Sequence, residues 1–295
     1  MLAKKILNTS FNALLSQKTK ESTERVILGI SIFSYLVHLL LIFLSTQGLI
    51  ALEEKFFQDP IAAIYTPFTF ILVYEVYLLV YFLPKSTTIY IGKQYEIITL
   101  IVIRRIFKDI AYVELTSDWF RDKNDLQFTF DVVTALILFY ILYLFYRKIK
   151  KREYKNTSSK VTRFVTLKKS LAVLLVPALI ALAVYTFSHW IIATIDNFHN
   201  GLEAFKTINN VFFDEFFTLM IIVDVLLLLA SFFYSHQFHK IIRNSGFIIS
   251  TILIKISFLA DGILNNILIL SAVAFGFLIL IVHNLYETGD AVPEQ

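Results

Sequence analysis

Four ionisable residues stand in the middle of apolar stretches, in two copies of one pattern. Glu75 lies in FTFILVYEVYLLVYFLP and Arg104 in YEIITLIVIRRIFKD. Asp224 lies in FTLMIIVDVLLLLASFF and Lys255 in GFIISTILIKISFLAD. Each copy thus places an acid in one apolar segment and a base in the next. A charge in hydrocarbon costs about 2.5–3.5 kcal/mol on insertion scales, so such residues persist with a partner or a task. Two kinds of chemistry are open to them: mutual neutralisation as a structural ion pair, or passage of protons and small ions.

A second group is His38, Asp109 and Asp131, where a histidine and two carboxylates could relay protons or hold a metal. The more economical account is a histidine hydrogen-bonded inside a bundle with two interfacial acids, so no metal or cofactor is expected. His189 and Asp261 are their counterparts in the second copy. His236 and His239 have the i, i+3 spacing of metal ligands, but they stand in a basic turn, HQFHKIIRN, and read as headgroup contacts.

The elements that must position these residues are membrane helices. The chain is 57% hydrophobic and 17% charged, with mean hydropathy +0.69. Soluble domains carry roughly 25% charged residues. Several apolar runs approach the roughly 20 residues that span a bilayer as a helix, and the absence of long alternating strands argues against a membrane barrel. With no cysteine, disulfides and thiolate metal sites are excluded. The expected class is all-α and polytopic, with apolar segments at 26–47, 61–83, 94–112, 128–147, 170–194, 215–235, 246–261 and 263–286, the stretch LADGILNN with Asp261, Gly262, Asn265 and Asn266 supplying the last turn.

Loop charges alternate. Loops such as PKSTTIYIGKQ are basic, and RKIKKREYKNTSSKVTRFVTLKK holds ten basic residues against Glu153 alone. The intervening loops are acidic, through Glu114, Asp118, Asp122 and Asp125, and again through Asp196, Glu203, Asp214 and Glu215. The positive-inside rule then places both termini in the cytoplasm. Five parts follow: a cytoplasmic amphipathic segment 1–25, a four-helix unit 26–147, a basic linker 148–169, a second four-helix unit 170–286 and a tail 287–295. Glu75 aligns with Asp224, Ile97 with Ile248 and His38 with His189, so the units read as parallel repeats about the membrane normal.

Counted from the segment ends near Pro84, Gln94, Ser235 and Asn244, Glu75 and Arg104 lie about 13 Å and 15 Å from the cytoplasmic face, and Asp224 and Lys255 about 16 Å each. Equal depth on consecutive helices predicts that each acid touches its base.

Residues Tyr74–Tyr146 resemble the PsiE-like, phosphate-starvation-inducible membrane proteins of bacteria. That family has an acid in an aromatic-rich second helix, I-x-x-I-V-R-x-x-x-x-D in the third and L-D-V near the start of the fourth. The matching positions are Glu75, then Arg104 with Asp109, then Phe130, Asp131 and Val132. The second half departs from the pattern: Asp224 replaces Glu, Lys255 replaces Arg, Asp261 is displaced by one residue, and Asn266 stands for the last Asp. The resemblance implies a tandem fusion of two four-helix units and supplies no mechanism.

No G-x-S-x-G, P-loop or H-E-x-x-H signature occurs, so no enzyme activity is expected. No helix carries the repeated basic residues of a voltage sensor. The basic linker fits anionic lipid headgroups rather than nucleic acid. The expectation is a multi-pass protein of a bacterial inner (plasma) membrane, channel-like or transporter-like for protons or small ions. The alternative is a non-transporting scaffold or stress-response sensor with structural ion pairs. Homo-oligomer formation is compatible with either.

Overall fold

Long apolar runs without period-two alternation fold as helix, because a helix satisfies its own backbone polar groups where no water can. The computed structural model describes residues 2–49, 60–110, 113, 123–149, 159–196, 201–234, 237–260 and 262–288. Over these the chain forms α1 (Leu2–Leu15), α2 (Gln17–Thr46), a 3-10 turn (Ala62–Ile64), α3 (Tyr65–Phe82), α4 (Thr87–Asp109), α5 (Lys123–Lys148), α6 (Ser159–Asp196), α7 (Gly201–Tyr234), α8 (Phe238–Ser257) and α9 (Gly262–Thr288). Ser16 ends α1 and caps α2, its hydroxyl accepting from the Thr19 N–H at 3.1 Å. Gly262, with φ of +62°, turns the chain from α8 into α9, a backbone state that costs glycine little.

Five stretches are long and apolar enough to cross a membrane: Lys5–Thr46, Lys123–Lys148, Thr162–Leu182, Glu215–Phe233 and Gly262–Thr288. Their outward faces are apolar. Ile32, Phe33 and Leu36 on α2, Leu136 and Phe139 on α5, Leu174 on α6 and Phe233 on α7 are all exposed. An outward face of this kind suits hydrocarbon rather than water. The molecule is a helical protein of membrane-spanning type.

Successive helices pack as neighbours from α2 to α5 and from α6 to α9. The two sets meet through α5 on α9, α4 on α8 and α3 on α6, while α1 lies against α6. Helix α4 is the innermost. Its Tyr90, Ile91, Tyr95, Ile97, Ile98 and Val102 are buried, and it contributes no large exposed hydrophobic residue. Asp131 meets Asn266 and, further along, the Lys148 carbonyl meets Asn284. Helices α5 and α9 therefore run parallel.

Several boundaries differ from expectation. Helix α4 starts at Thr87 and α8 at Phe238, well before residues 94 and 246. Their first turns carry Lys93, Lys240 and Arg243, which end an apolar count but not a helix. Residues 159–169 of the expected linker belong to α6. Asn265 and Asn266, expected in the turn before the last helix, are buried within the first turns of α9.

Close packing here depends on small residues, as is usual between membrane helices. A methyl group at Gly276 of α9 would collide with the Tyr95 hydroxyl of α4, which is hydrogen-bonded to Ser250 Oγ at 2.8 Å. Gly276→Ala is therefore expected to destabilise the protein by about 1–3 kcal/mol through overpacking. Adding Tyr95→Phe, which removes the colliding oxygen, should recover part of that loss. Thermal unfolding of the three variants in detergent measures both effects.

Candidate functional site

Asp224, about three turns before the end of α7, is only 3% exposed. Its carboxylate accepts a hydrogen bond from Gln94 Nε2 of α4 at 2.9 Å. The Gln94 carbonyl oxygen in turn accepts from Thr251 Oγ1 of α8 at 2.8 Å. Tyr90, one turn before Gln94, faces the same carboxylate, and its buried hydroxyl makes no well-formed hydrogen bond. On the opposite side Lys168 of α6 is 4% exposed. Its ammonium donates to the Lys85 carbonyl at 3.1 Å and to Thr87 Oγ1 at 3.3 Å, at the start of α4.

No ion pair joins Lys168 to Asp224. Between them lies a cavity of about 20 Å³, also lined by Tyr90, Phe164, Asn244 and Phe247. That volume suits a single water molecule, and Asp224, Tyr90 and Lys168 supply the polar partners such a water needs. An acid, a phenol and an amine around a water-sized space can exchange protons through that water. The carboxylate can equally hold a small dehydrated cation.

A second polar centre lies towards the other end of α4. Arg105 grips Asp131 of α5 with Nε at 2.5 Å from Oδ2 and Nη2 at 2.7 Å from Oδ1, the bidentate geometry of a strong arginine–carboxylate pair. The same guanidinium donates to Asn265 Oδ1 at 2.6 Å and to Asn266 Oδ1. Asp131 also accepts from Asn266 Nδ2 at 2.6 Å and from Gln127 Nε2 at 2.7 Å. Asn265 donates to the Ser257 carbonyl at the end of α8. The pair is saturated, and it ties α4 and α5 to α9.

The expected pairing of Glu75 with Arg104 and of Asp224 with Lys255 is not what the helices form. Glu75 is half-buried and no hydrogen bond or ion pair ends on it among the described residues. The charges that act on it are Glu96, Lys93, Glu24 and Lys20. Lys255 donates to Thr218 on α7 instead of reaching Asp224. The cause is the early start of α4 and α8. Lys255 lies about 25 Å along α8 from Phe238, whereas Asp224 lies about 15 Å from the adjoining end of α7. In the first half the mismatch is larger, with Arg104 about 25 Å and Glu75 about 10 Å from the α3–α4 turn. Arg104 is buried at its own level.

The other expected residues are also dispersed. His38 is buried, with Nδ1 2.6 Å from Thr66 Oγ1, while Asp131 is engaged by Arg105. Asp109 ends α4 and is half-buried. His189 lies on α6 with its side chain outside the described ones, and Asp261 lies outside the described residues. Lys168, Gln94, Tyr90 and Arg105 were not singled out by the sequence. Lys168 is one of ten bases in a run, and Arg105 adjoins the base that the repeat pattern selects.

Removing one member of a buried pair strands the other charge. Arg105→Met or Asp131→Leu alone is expected to cost about 3–5 kcal/mol, with the double replacement recovering most of the loss. Detergent melting of the two single variants and the double variant checks this; additive losses would show that the pair is not coupled. Compared with models of protein families, with curated proteins and with solved structures, the chain matches none.

Proposed function

We propose that the chain is a multi-pass bacterial inner-membrane protein that moves protons or small cations through Asp224, at the meeting of two parallel four-helix repeats. The observation that carries this is that Asp224 and Lys168, both buried, face each other over a water-sized cavity without pairing. Two opposite charges that served only to neutralise each other would close that gap, because attraction rises steeply at short range in a poorly solvated interior. Ionisable groups inside membrane bundles commonly mark proton and ion paths. Gln94 holds the carboxylate and Tyr90 faces it, both from a helix of the first half, so the site is shared between the halves. Glu75, Arg104 and Lys255 are secondary participants at other depths.

Eight crossings with cytoplasmic termini are supported by loop charge, and the parallel course of α5 and α9 supports a parallel repeat. The PsiE-like resemblance of residues 74–146 fits a tandem fusion. Basic residues around 148–169 would contact anionic headgroups. The second reading, a non-transporting scaffold or sensor, draws on the saturated Arg105–Asp131–Asn265–Asn266 cluster, which has the form of a structural tie.

Purified protein in liposomes distinguishes the two. A pH or potassium gradient should dissipate faster with the wild-type chain than with empty vesicles. Asp224→Asn should abolish that flux and Lys168→Met should reduce it at least tenfold, with both proteins still monodisperse. Absence of flux for protons, alkali cations and halides at either polarity would leave the scaffold. Reporter fusions at residue 122 should score outside and those at the C-terminus inside; an external C-terminus would remove the even number of crossings.

A further inference from the structure

Where α8 begins and α9 ends, His239, His283 and Glu287 each bring one ligand atom within 4.8 Å of the others. His283 and Glu287 are one turn apart on α9 and share a face, with Nε2 and Oε1 3.1 Å apart. The His239 ring stacks on the His283 ring at 5.2 Å between centroids, and Tyr286 stacks on His239 from the other side at 6.5 Å. The His283 side chain is 3% exposed and that of Glu287 is 16% exposed. This shielding slows exchange with bulk water and raises the electrostatic pull on a cation.

From this arrangement we infer that His239, His283 and Glu287 form a binding site for a borderline divalent cation of the Zn²⁺ or Co²⁺ type. Two imidazoles and one carboxylate, with a fourth position left to water, is a donor set that such ions favour. Mg²⁺ and Ca²⁺ prefer sites built from oxygen alone. Bonds of about 2.0 Å put tetrahedral ligands about 3.3 Å apart.

Arg243 fixes the state of His283, its Nη1 lying 3.0 Å from Nε2. A guanidinium hydrogen-bonded there needs the lone pair of a neutral imidazole, the form that ligates metals. Arg243 is also anchored to Asn244 Oδ1 through Nε at 3.2 Å and Nη2 at 3.0 Å. A metal ion can therefore displace the third contact while two remain.

The test uses full-length, tag-free protein in detergent, stripped with chelator, loaded with Zn²⁺ and freed of excess ion. One equivalent of Zn²⁺ per chain is expected by elemental analysis, with Co²⁺ giving the visible absorption of a low-coordinate nitrogen–oxygen site. His239→Ala and Glu287→Gln should each weaken Zn²⁺ binding by roughly tenfold or more. Both positions are less buried than His283, and an unchanged elution profile shows that the variants fold. No bound Zn²⁺, retention undiminished in both folded variants, or equal competition by Mg²⁺ or Ca²⁺ would overturn the assignment.

Discussion

Helix α4 carries an amide, two phenols and two guanidinium groups into the middle of the protein, where each must be satisfied without bulk water. A buried polar group left without a partner costs about 1–3 kcal/mol, so their partners constrain everything packed around the helix. Those partners come largely from the second half. Gln94 binds Asp224 and Thr251, Tyr95 binds Ser250, and Arg105 binds Asn265 and Asn266. The halves are held together by hydrogen bonds that α4 could not make elsewhere. This also accounts for the modest apolarity of α4: neighbouring helices, not its own side chains, shield it from lipid.

The two charge centres that this helix borders differ in one physical respect. At Arg105 every strong donor meets an acceptor, Asp131 receives several hydrogen bonds, and nothing is left for a ligand to gain. At Asp224 the carboxylate is held by Gln94 and faced by Tyr90, yet Lys168 makes no ion pair with it beside a small void. Fully satisfied polar networks make interiors rigid and specific. A carboxylate with capacity to spare, in a dry environment, is what the proposed ion path rests on. Helix α4 thus carries a strut near one end and borders the carboxylate of α7 nearer the other.

The all-helical class and the long apolar helices were legible because hydrocarbon burial leaves a plain mark on composition. Over the described residues each apolar segment falls largely on a helix, and five stretches are long and apolar enough to cross a membrane. The contacts between charges were not legible, for reasons of geometry. Depth counts from apolar segment ends near Gln94 and Asn244, but Lys93 and Arg243 lie inside helices that begin earlier, with amphipathic first turns. Arg104 and Arg105 point about 100° apart around the helix axis, and only the positions of neighbouring helices decide which one meets a carboxylate. Asn265 and Asn266 resembled turn chemistry beside Gly262, although they serve as buried partners. Gln94 carries no charge and Lys168 is one base among many, so neither had a signal to find. Asp224 was legible, since an acid in the middle of MIIVDVLLLLA has few neutral explanations.

Helix α1 has a bearing on how the chain is made. Leu15 is buried, the Tyr77 hydroxyl donates to the Leu14 carbonyl at 3.0 Å, Tyr81 reaches Gln17, and Lys169 lies 4.9 Å from the Phe11 ring. The docking place of α1 is therefore built from α3 and from α6, which is synthesised some 150 residues later. At roughly 5–20 residues per second, translation leaves α1 without half of its seat for about ten seconds or more. During biogenesis this helix has no complete docking place until α6 is made. Its closure over the bundle marks the arrival of the second half.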